Sequence, residues 1–402
     1  MNKRLLASLL ALSVSLVGAC GSDDDDDSVP ANTPNFALSL QVLTEDLLDN
    51  TTFVAFADDI TSGQLTLDDA IEVAGGGNLW GIPGTGEYYV TSEENGTFTK
   101  FQFEDGVPVE AGVIGVLGAG VPILFGEQVV FADSSTAFLF DLNSAQALEI
   151  DLDEMIIADT FDISPALVPA EDAMPSFFGD RFLTLPNGDF VSFTYGTDFE
   201  QETVSDTSRF VFLDPDTRTF EYVDSPCGGI QYARLLDNGD MIASTDAWIA
   251  GINAIDSARA PDPCMVRIPA GTRTPEVFVA SLNELTGGPT AGLVPSNDNT
   301  AFVRVLDTEN FPITEASRGI ELFATPAWET WVVDLDDPTS ATKLERAPLA
   351  GGIKWFEVDG EVYENESQAD FSSTTLVRTT GTDTLTPALT VPGAPFNILR
   401  LR

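Results

Sequence analysis

From Phe36 onward, short runs of β-branched, aromatic and aliphatic residues alternate with clusters of turn formers. Tyr88-Tyr89-Val90-Thr91, Phe98 to Phe103, Val129-Val130-Phe131, Ala137-Phe138-Leu139-Phe140, Phe190 to Tyr195, Arg209 to Leu213 and Thr330 to Leu335 are such runs. Pro186-Asn187-Gly188-Asp189, Asp214-Pro215-Asp216 and Asp237-Asn238-Gly239-Asp240 separate them and carry the residues that tight turns demand. Apolar positions at helical spacing are almost absent. Leu65 to Ile71 could hold a helical turn, although a loop between strands is the simpler reading. The pattern predicts an all-β protein.

Strand–turn repetition over this length fits a sandwich pair, a barrel or a propeller, and self-similarity at a fixed period separates them. A degenerate unit recurs: a glycine, about six mostly apolar residues, a turn, then a second strand. Gly77 to Ile82 leads through Gly84-Thr85-Gly86 to Tyr88, and Gly179 to Leu185 leads through Pro186-Asn187-Gly188 to Phe190. Gly229 to Leu235 leads to Met241, Gly288 to Val294 leads to Ala301, and Gly352 to Val358 leads to Val362; a weaker copy starts at Gly120. Each copy reads as the inner strand of a propeller blade turning into its second strand, with glycine where inner strands crowd the axis. A spacing of roughly 50–60 residues suits four-stranded blades with some long loops. The expected fold is a β-propeller of seven blades, six and eight remaining compatible, and two β-sandwiches with coincident glycine turns are the alternative. A first incomplete unit at Phe36 to Ile60 is expected to pair with Phe396 to Leu401 and close the ring.

The N-terminus adds an address. Lys3 and Arg4 precede the apolar run Leu5 to Val17, and Gly18-Ala19 precede Cys20, which reads as a secretory signal over residues 1–19. The run is short for a permanent span, and no later stretch approaches the ~20 apolar residues that a spanning helix needs. Val17-Gly18-Ala19-Cys20 resembles the bacterial lipobox, which implies lipidation of Cys20 and attachment to a bilayer. Gly21 in place of Asp favours the outer membrane by the same resemblance, on its periplasmic or surface side. Asp23 to Asp27 form a like-charged block, so residues 20–34 read as a solvated acidic tether. An unbroken Asp run lacks the turn that would converge ligands on calcium. The propeller domain is placed at 35–402.

Charge then excludes partners. The chain has 18 Lys and Arg against 64 Asp and Glu, a net charge of −46 that becomes −48 when Lys3 and Arg4 leave with the signal. Nucleic acid is excluded as a partner, because such a field repels phosphate backbones. A salt-adapted proteome shows the same acidity. There is no histidine. Imidazole bases, Ser-His and Cys-His pairs and histidine-ligated metals are therefore excluded, and no cofactor is implied. With Cys20 set aside, Cys227 and Cys264 remain as an even pair in an oxidising compartment, and a disulfide between them is expected. Both are flanked by loop residues, so the bridge is expected to close a long excursion rather than staple a core. Such closure contributes about 3–4 kcal/mol in the chain-entropy model.

Asp224-Ser225-Pro226-Cys227-Gly228-Gly229, Cys264-Met265-Val266-Arg267-Ile268-Pro269-Ala270-Gly271, Leu285-Thr286-Gly287-Gly288 and Leu399-Arg400-Leu401-Arg402 carry a further likeness. Over nearly the whole mature domain the chain resembles the propeller lipoproteins encoded in myxobacterial clusters for myxochelin-type catecholate siderophores. Related propeller lipoproteins accompany TonB-dependent receptors. The resemblance implies a ferric siderophore or such a receptor as partner, and it carries over no catalytic residue.

Three function classes follow. The first is a ligand- or partner-binding accessory of iron–siderophore uptake, since propellers bind where loops and inner-strand ends converge at one mouth of the channel. Trp80, Arg181, Gln231, Tyr232, Lys354 and Trp355, just after the repeat glycines, would line that rim. Aromatic faces and desolvated cations suit an anionic ferric catecholate. The plainer reading of Trp80, Tyr232 and Trp355 is packing between blades, with the cations as surface counter-charges. The second class is a hydrolase, such as a calcium-dependent lactonase, resting on Asp, Glu and Asn. Gly75-Gly76-Gly77 lacks the lysine and hydroxyl of a phosphate-binding loop. The third is a structural surface protein, which predicts no pocket.

Overall fold

Alternating side chains along each run leave one face of a strand for each neighbouring layer, and the short turns between runs force adjacent strands antiparallel. The computed structural model describes residues 29–402 except 44–49, 93, 117–128, 142–144, 168–175, 179–181, 297–298, 315, 353, 369–371 and 380–383. Its strands form seven antiparallel sheets, six of four strands and one of five, arranged as a seven-bladed β-propeller.

Blade 1 joins the two ends of the chain. Its inner strand is Ala394–Arg400, followed outward by Phe36–Leu43, Asn50–Ala57 and Ile71–Val73. Phe36 pairs with Arg400 and Gln41 with Ala394, so the ring is closed by backbone hydrogen bonds, as the terminal strands led us to expect. Blade 2 runs from Leu79–Trp80 to Val107–Gly115, blade 3 from Val129–Phe131 to Ile156–Asp162, and blade 5 from Ile230–Leu235 to Glu276–Val279. Blade 6 runs from Thr290–Pro295 to Ala341–Lys343, and blade 7 from Trp355–Val358 to Leu385–Pro392. Blade 4 is the five-stranded one: Ser176–Phe178 and Leu183–Thr184 both pair with Phe190–Asp198 on its inner side. Residues 65–70 form a loop.

The glycine before the blade 2 inner strand answers to its own blade rather than to the axis. A Cβ on Gly77 would lie 1.8 Å from the carbonyl oxygen of Thr91 in the second strand. In blade 3 the inner strand starts at Val129, and the weak copy at Gly120 lies outside the described residues.

Among the described residues three short α-helices depart from the pattern. α1, Ala247–Ile255, follows the second strand of blade 5, and the Asp246 side chain caps it by accepting from the Trp248 amide at 2.6 Å. α2, Leu282–Thr286, joins blades 5 and 6 and ends on Gly287 at φ +82°. α3, Gly319–Ala324, follows the second strand of blade 6 and packs on α1, where a Cβ on Gly319 would lie 2.5 Å from Ile252. Buried Glu202 fastens α3 by accepting from the amides of Gly319 and Ile320 at 3.1 and 3.2 Å.

Cys227 and Cys264 form the disulfide, with Cα atoms 6.1 Å apart. The bridge encloses α1, yet both cysteines are buried in the apolar layer between blades 4 and 5. The expectation of a bridge outside the core is thus corrected. Cys264 directly precedes the third strand of blade 5, and Cys227 lies where the Ser225 and Ser208 hydroxyls bond the incoming backbone, so both enter the packed layer.

Candidate functional site

Inner strands begin, and second strands end, on one face of the ring. There blades 5, 6, 7 and 1 enclose a cavity of about 550 Å³, within the range of small-molecule sites. The start of blade 5 contributes Gln231 and Tyr232, Lys354 precedes the inner strand of blade 7, and Phe396 comes from the closing strand. Phe323 of α3 walls one side.

Three of the six expected rim residues, Gln231, Tyr232 and Lys354, therefore share one cavity. The Tyr232 hydroxyl donates to Asp246 Oδ2 at 2.8 Å, and the Tyr195 hydroxyl donates to Gln231 Oε1 at 3.0 Å. Burial, and secondarily the Asp246 charge, push the Tyr195 phenol well above its ordinary value. Lys354 Nζ lies 5.7 Å from the centroid of the Phe356 ring. Trp355 is buried in the layer among blades 5 to 7. Trp80, also buried, lies between blades 2 and 3 with its indole donating to Thr91 Oγ1 at 3.2 Å. It borders a separate cavity of about 490 Å³ along the inner strands. Arg181 lies outside the described residues, as does Cys20.

Pattern reading missed the charged wall of the cavity. Arg304, on the second strand of blade 6, and Glu364, on the second strand of blade 7, form an ion pair with side chains only 1% exposed. Arg304 Nη1 also donates to Thr330 Oγ1 at 2.6 Å. Arg346 Nη1 stands 3.5 Å from Glu364 Oε2, and its other terminal nitrogen pairs with Glu366. Burial, followed by the neighbouring Arg346 charge, pulls the Arg304 guanidinium down to about 9. Arg304 and Glu366 both border the cavity. Beyond the Arg346–Glu366 pair a cleft of about 650 Å³ opens between blades 6 and 7. A signal for Arg304 did exist: it is the one charge in the apolar run Ala301-Phe302-Val303-Arg304-Val305-Leu306.

Among the described residues no three Cys, Asp or Glu side chains gather in the manner of a metal cage. Cavity charges instead alternate, Lys354 and Arg304 against Asp246 and Glu366. In a chain of net charge −46, this mouth is locally balanced.

The chain emerges far from that mouth. Phe36 pairs with Arg400, at the opposite end of the closing strand from Ala394 and Phe396. Asn35 accepts from the Leu401 amide at 2.8 Å, and Arg402 reaches the carbonyl of Ala31. The segment before the propeller thus leaves the ring on the face away from the cavity.

No protein-family profile matches the chain, and no curated protein is similar to it in sequence. Solved structures do share its shape. The chain is similar to two Bacteroides proteins provisionally assigned as 6-phosphogluconolactonases. The B. fragilis protein matches at TM-score 0.49 and 12% identity, over 92% of this chain and 99% of that one. The B. uniformis protein matches at TM-score 0.48 and 11% identity, over 90% and 98%. The periplasmic gluconolactonase PpgL of Pseudomonas aeruginosa matches at TM-score 0.53 and 12% identity, over 90% of this chain and 98% of that one, a likeness of fold.

Proposed function

We propose that the protein is a lipid-anchored propeller of the outer membrane that binds a small anionic, aromatic ligand, a ferric catecholate siderophore, in the mouth cavity and serves its uptake. The observation that carries this reading is the gathering of Gln231, Tyr232 and Lys354 in one cavity of about 550 Å³ beside Phe323 and Phe396. Aromatic walls and cations suit a flat, anionic chelate. The exit of residues 29–35 on the face away from the cavity supports the anchoring, since a lipid on Cys20 would then attach without covering the mouth.

Fluorescence quenching of the full mature chain by a ferric catecholate tests the binding. We expect saturable quenching, weakened about tenfold, or 1.4 kcal/mol, in Lys354→Ala. Absence of saturable quenching in the wild type removes the ligand reading and leaves the receptor or a structural role. Anchoring has its own test: Cys20→Ser is expected in the soluble fraction, and retention in membranes after a high-salt wash contradicts lipidation.

A second reading, lactone hydrolysis, rests on one observation in the same cavity. The Asp246 carboxylate and the Tyr232 hydroxyl stand 2.8 Å apart near Lys354 and Arg304, a possible proton carrier beside cations able to face a developing oxyanion. Turnover of gluconolactone that disappears in Asp246→Asn would favour it over binding alone.

A further inference from the structure

We infer that Arg304 is the anion receptor of the mouth cavity: an oxyanion of the ligand takes its guanidinium, and Arg346 keeps Glu364 neutralised meanwhile. The inference rests on the cavity being a ligand site and specifies which group of the ligand that site reads.

Two observations carry it. First, the guanidinium is built in but incompletely used. It is held by Thr330 Oγ1 and Glu364, while its buried Nε has no acceptor among the described residues, in a side chain that borders the cavity. A buried donor without an acceptor is costly, and an incoming oxygen would complete it after a small rotation of the side chain. Second, Glu364 has two cations. Arg304 approaches Oε1 and Arg346 approaches Oε2, so Glu364 does not become a bare buried charge when Arg304 turns to a ligand. Glu366, paired with the other arm of Arg346, holds that second cation in place. A general point agrees with these: buried ion pairs are often replaced by packed hydrophobic residues at no loss, so a fold has no need of such a cluster for stability alone.

Burial, and after it the neighbouring Arg346 charge, already draws Arg304 below its ordinary value. An anion beside it would favour the charged form again. The class of ligand group is a compact, planar oxyanion, a carboxylate or catecholate edge, to which the guanidinium presents a matching fork.

The test compares two probes of equal shape, 2,3-dihydroxybenzoate, anionic at neutral pH, and 2,3-dihydroxybenzamide, which is neutral. They are titrated into the full mature chain, into Arg304→Met/Glu364→Met and into Arg304→Lys. We expect the wild type to prefer the benzoate by about tenfold. The double variant should melt within a few degrees of the wild type and lose that preference. Arg304→Lys, which keeps the charge but not the fork, should weaken the benzoate about fivefold and leave the benzamide unchanged; it decides the matter if the double variant does not fold. Equal affinity of the wild type for both probes, or a preference that survives in either variant undiminished, overturns the inference alone. A wild type that binds neither probe nor a ferric catecholate overturns the cavity as a ligand site, and this inference with it.

Discussion

The layer between blades 1 and 2 and the layer between blades 6 and 7 occupy equivalent places in the ring, but the first is aromatic and aliphatic while the second sets a buried charged cluster beside apolar residues such as Phe302, Val333 and Trp355. In the first, Tyr88 stacks on Phe101 with ring centroids 5.1 Å apart and meets Phe56 edge-on at 5.7 Å, over Val54, Leu79 and Phe103. In the second, Arg304, Glu364 and Arg346 fill the corresponding depth. A propeller needs only apolar contact to hold neighbouring blades. The charged cluster is therefore an addition to the fold's requirements, and it borders the cavity, which none of these aromatic-layer residues lines.

The comparison breaks most sharply under large substitutions. Tyr88→Ala should cost about 3–5 kcal/mol, as emptying an aromatic site in a packed layer does. Glu364→Met should cost a similar ~3–5 kcal/mol for a different reason, because it strips Arg304 of its counter-ion. Combining it with Arg304→Met should recover most of that loss. Denaturant unfolding of the three variants reads the difference: no compensating partner rescues Tyr88→Ala, while the charged layer tolerates replacement as a unit. A double variant as unstable as Glu364→Met would make the charged layer a structural one.

Glu202 tests the middle ground, a buried carboxylate at the edge of the α1–α3 cap. Burial pushes its carboxyl up, but the Gly319 and Ile320 amides and the Arg318 and Arg259 charges outweigh this and hold it below its ordinary value. A depressed value in the folded state means that stability is gained above the unfolded value, ~4.3, and lost as pH falls through the lower folded one. Glu202→Gln should cost about 2 kcal/mol at pH 7, through weakened charge-assisted hydrogen bonds. The gap to wild type should shrink steadily below about pH 4. A gap independent of pH from 7 to 3 would show that the side chain acts by shape rather than charge.

How much of this was legible depends on which physics the residue obeys. Inner strands were readable because the lead-in glycine answers to a local demand, as Gly77 against Thr91 does. Tyr232 and Lys354 came with them, since a strand start always lies at the mouth. The blade 3 strand Val129–Phe131 was visible as an apolar run but not as a repeat copy. Arg304 and Glu364 belong to second strands. The apolar run around Arg304 marks it as an unusual charge, but which alternating residue of such a strand meets the next blade is decided by the stagger between sheets, a tertiary quantity. The depth of Cys227 was hidden for the same reason, whereas the burial of Trp80 and Trp355 matches the plainer reading of those residues as packing between blades.

The smallest effect is also the most discriminating for the aromatic layer. The Tyr88 hydroxyl is buried with no hydrogen-bond partner among the described residues, and burial drives its phenol far above the ordinary value. Unlike Arg304, a residue that borders a cavity, this oxygen lies within packed rings of blades 1 and 2. No ligand can reach it. An unpaired buried hydroxyl costs about 1–3 kcal/mol, less whatever contact it makes with its surroundings. Tyr88→Phe should thus leave the ring stack intact and stabilise the protein by about 1 kcal/mol, raising the denaturation midpoint without changing the slope of the transition. Ligand binding at the mouth should not change. A loss of stability on removing one oxygen would mean that the hydroxyl is satisfied, and that the aromatic layer also contains a polar contact essential to its packing.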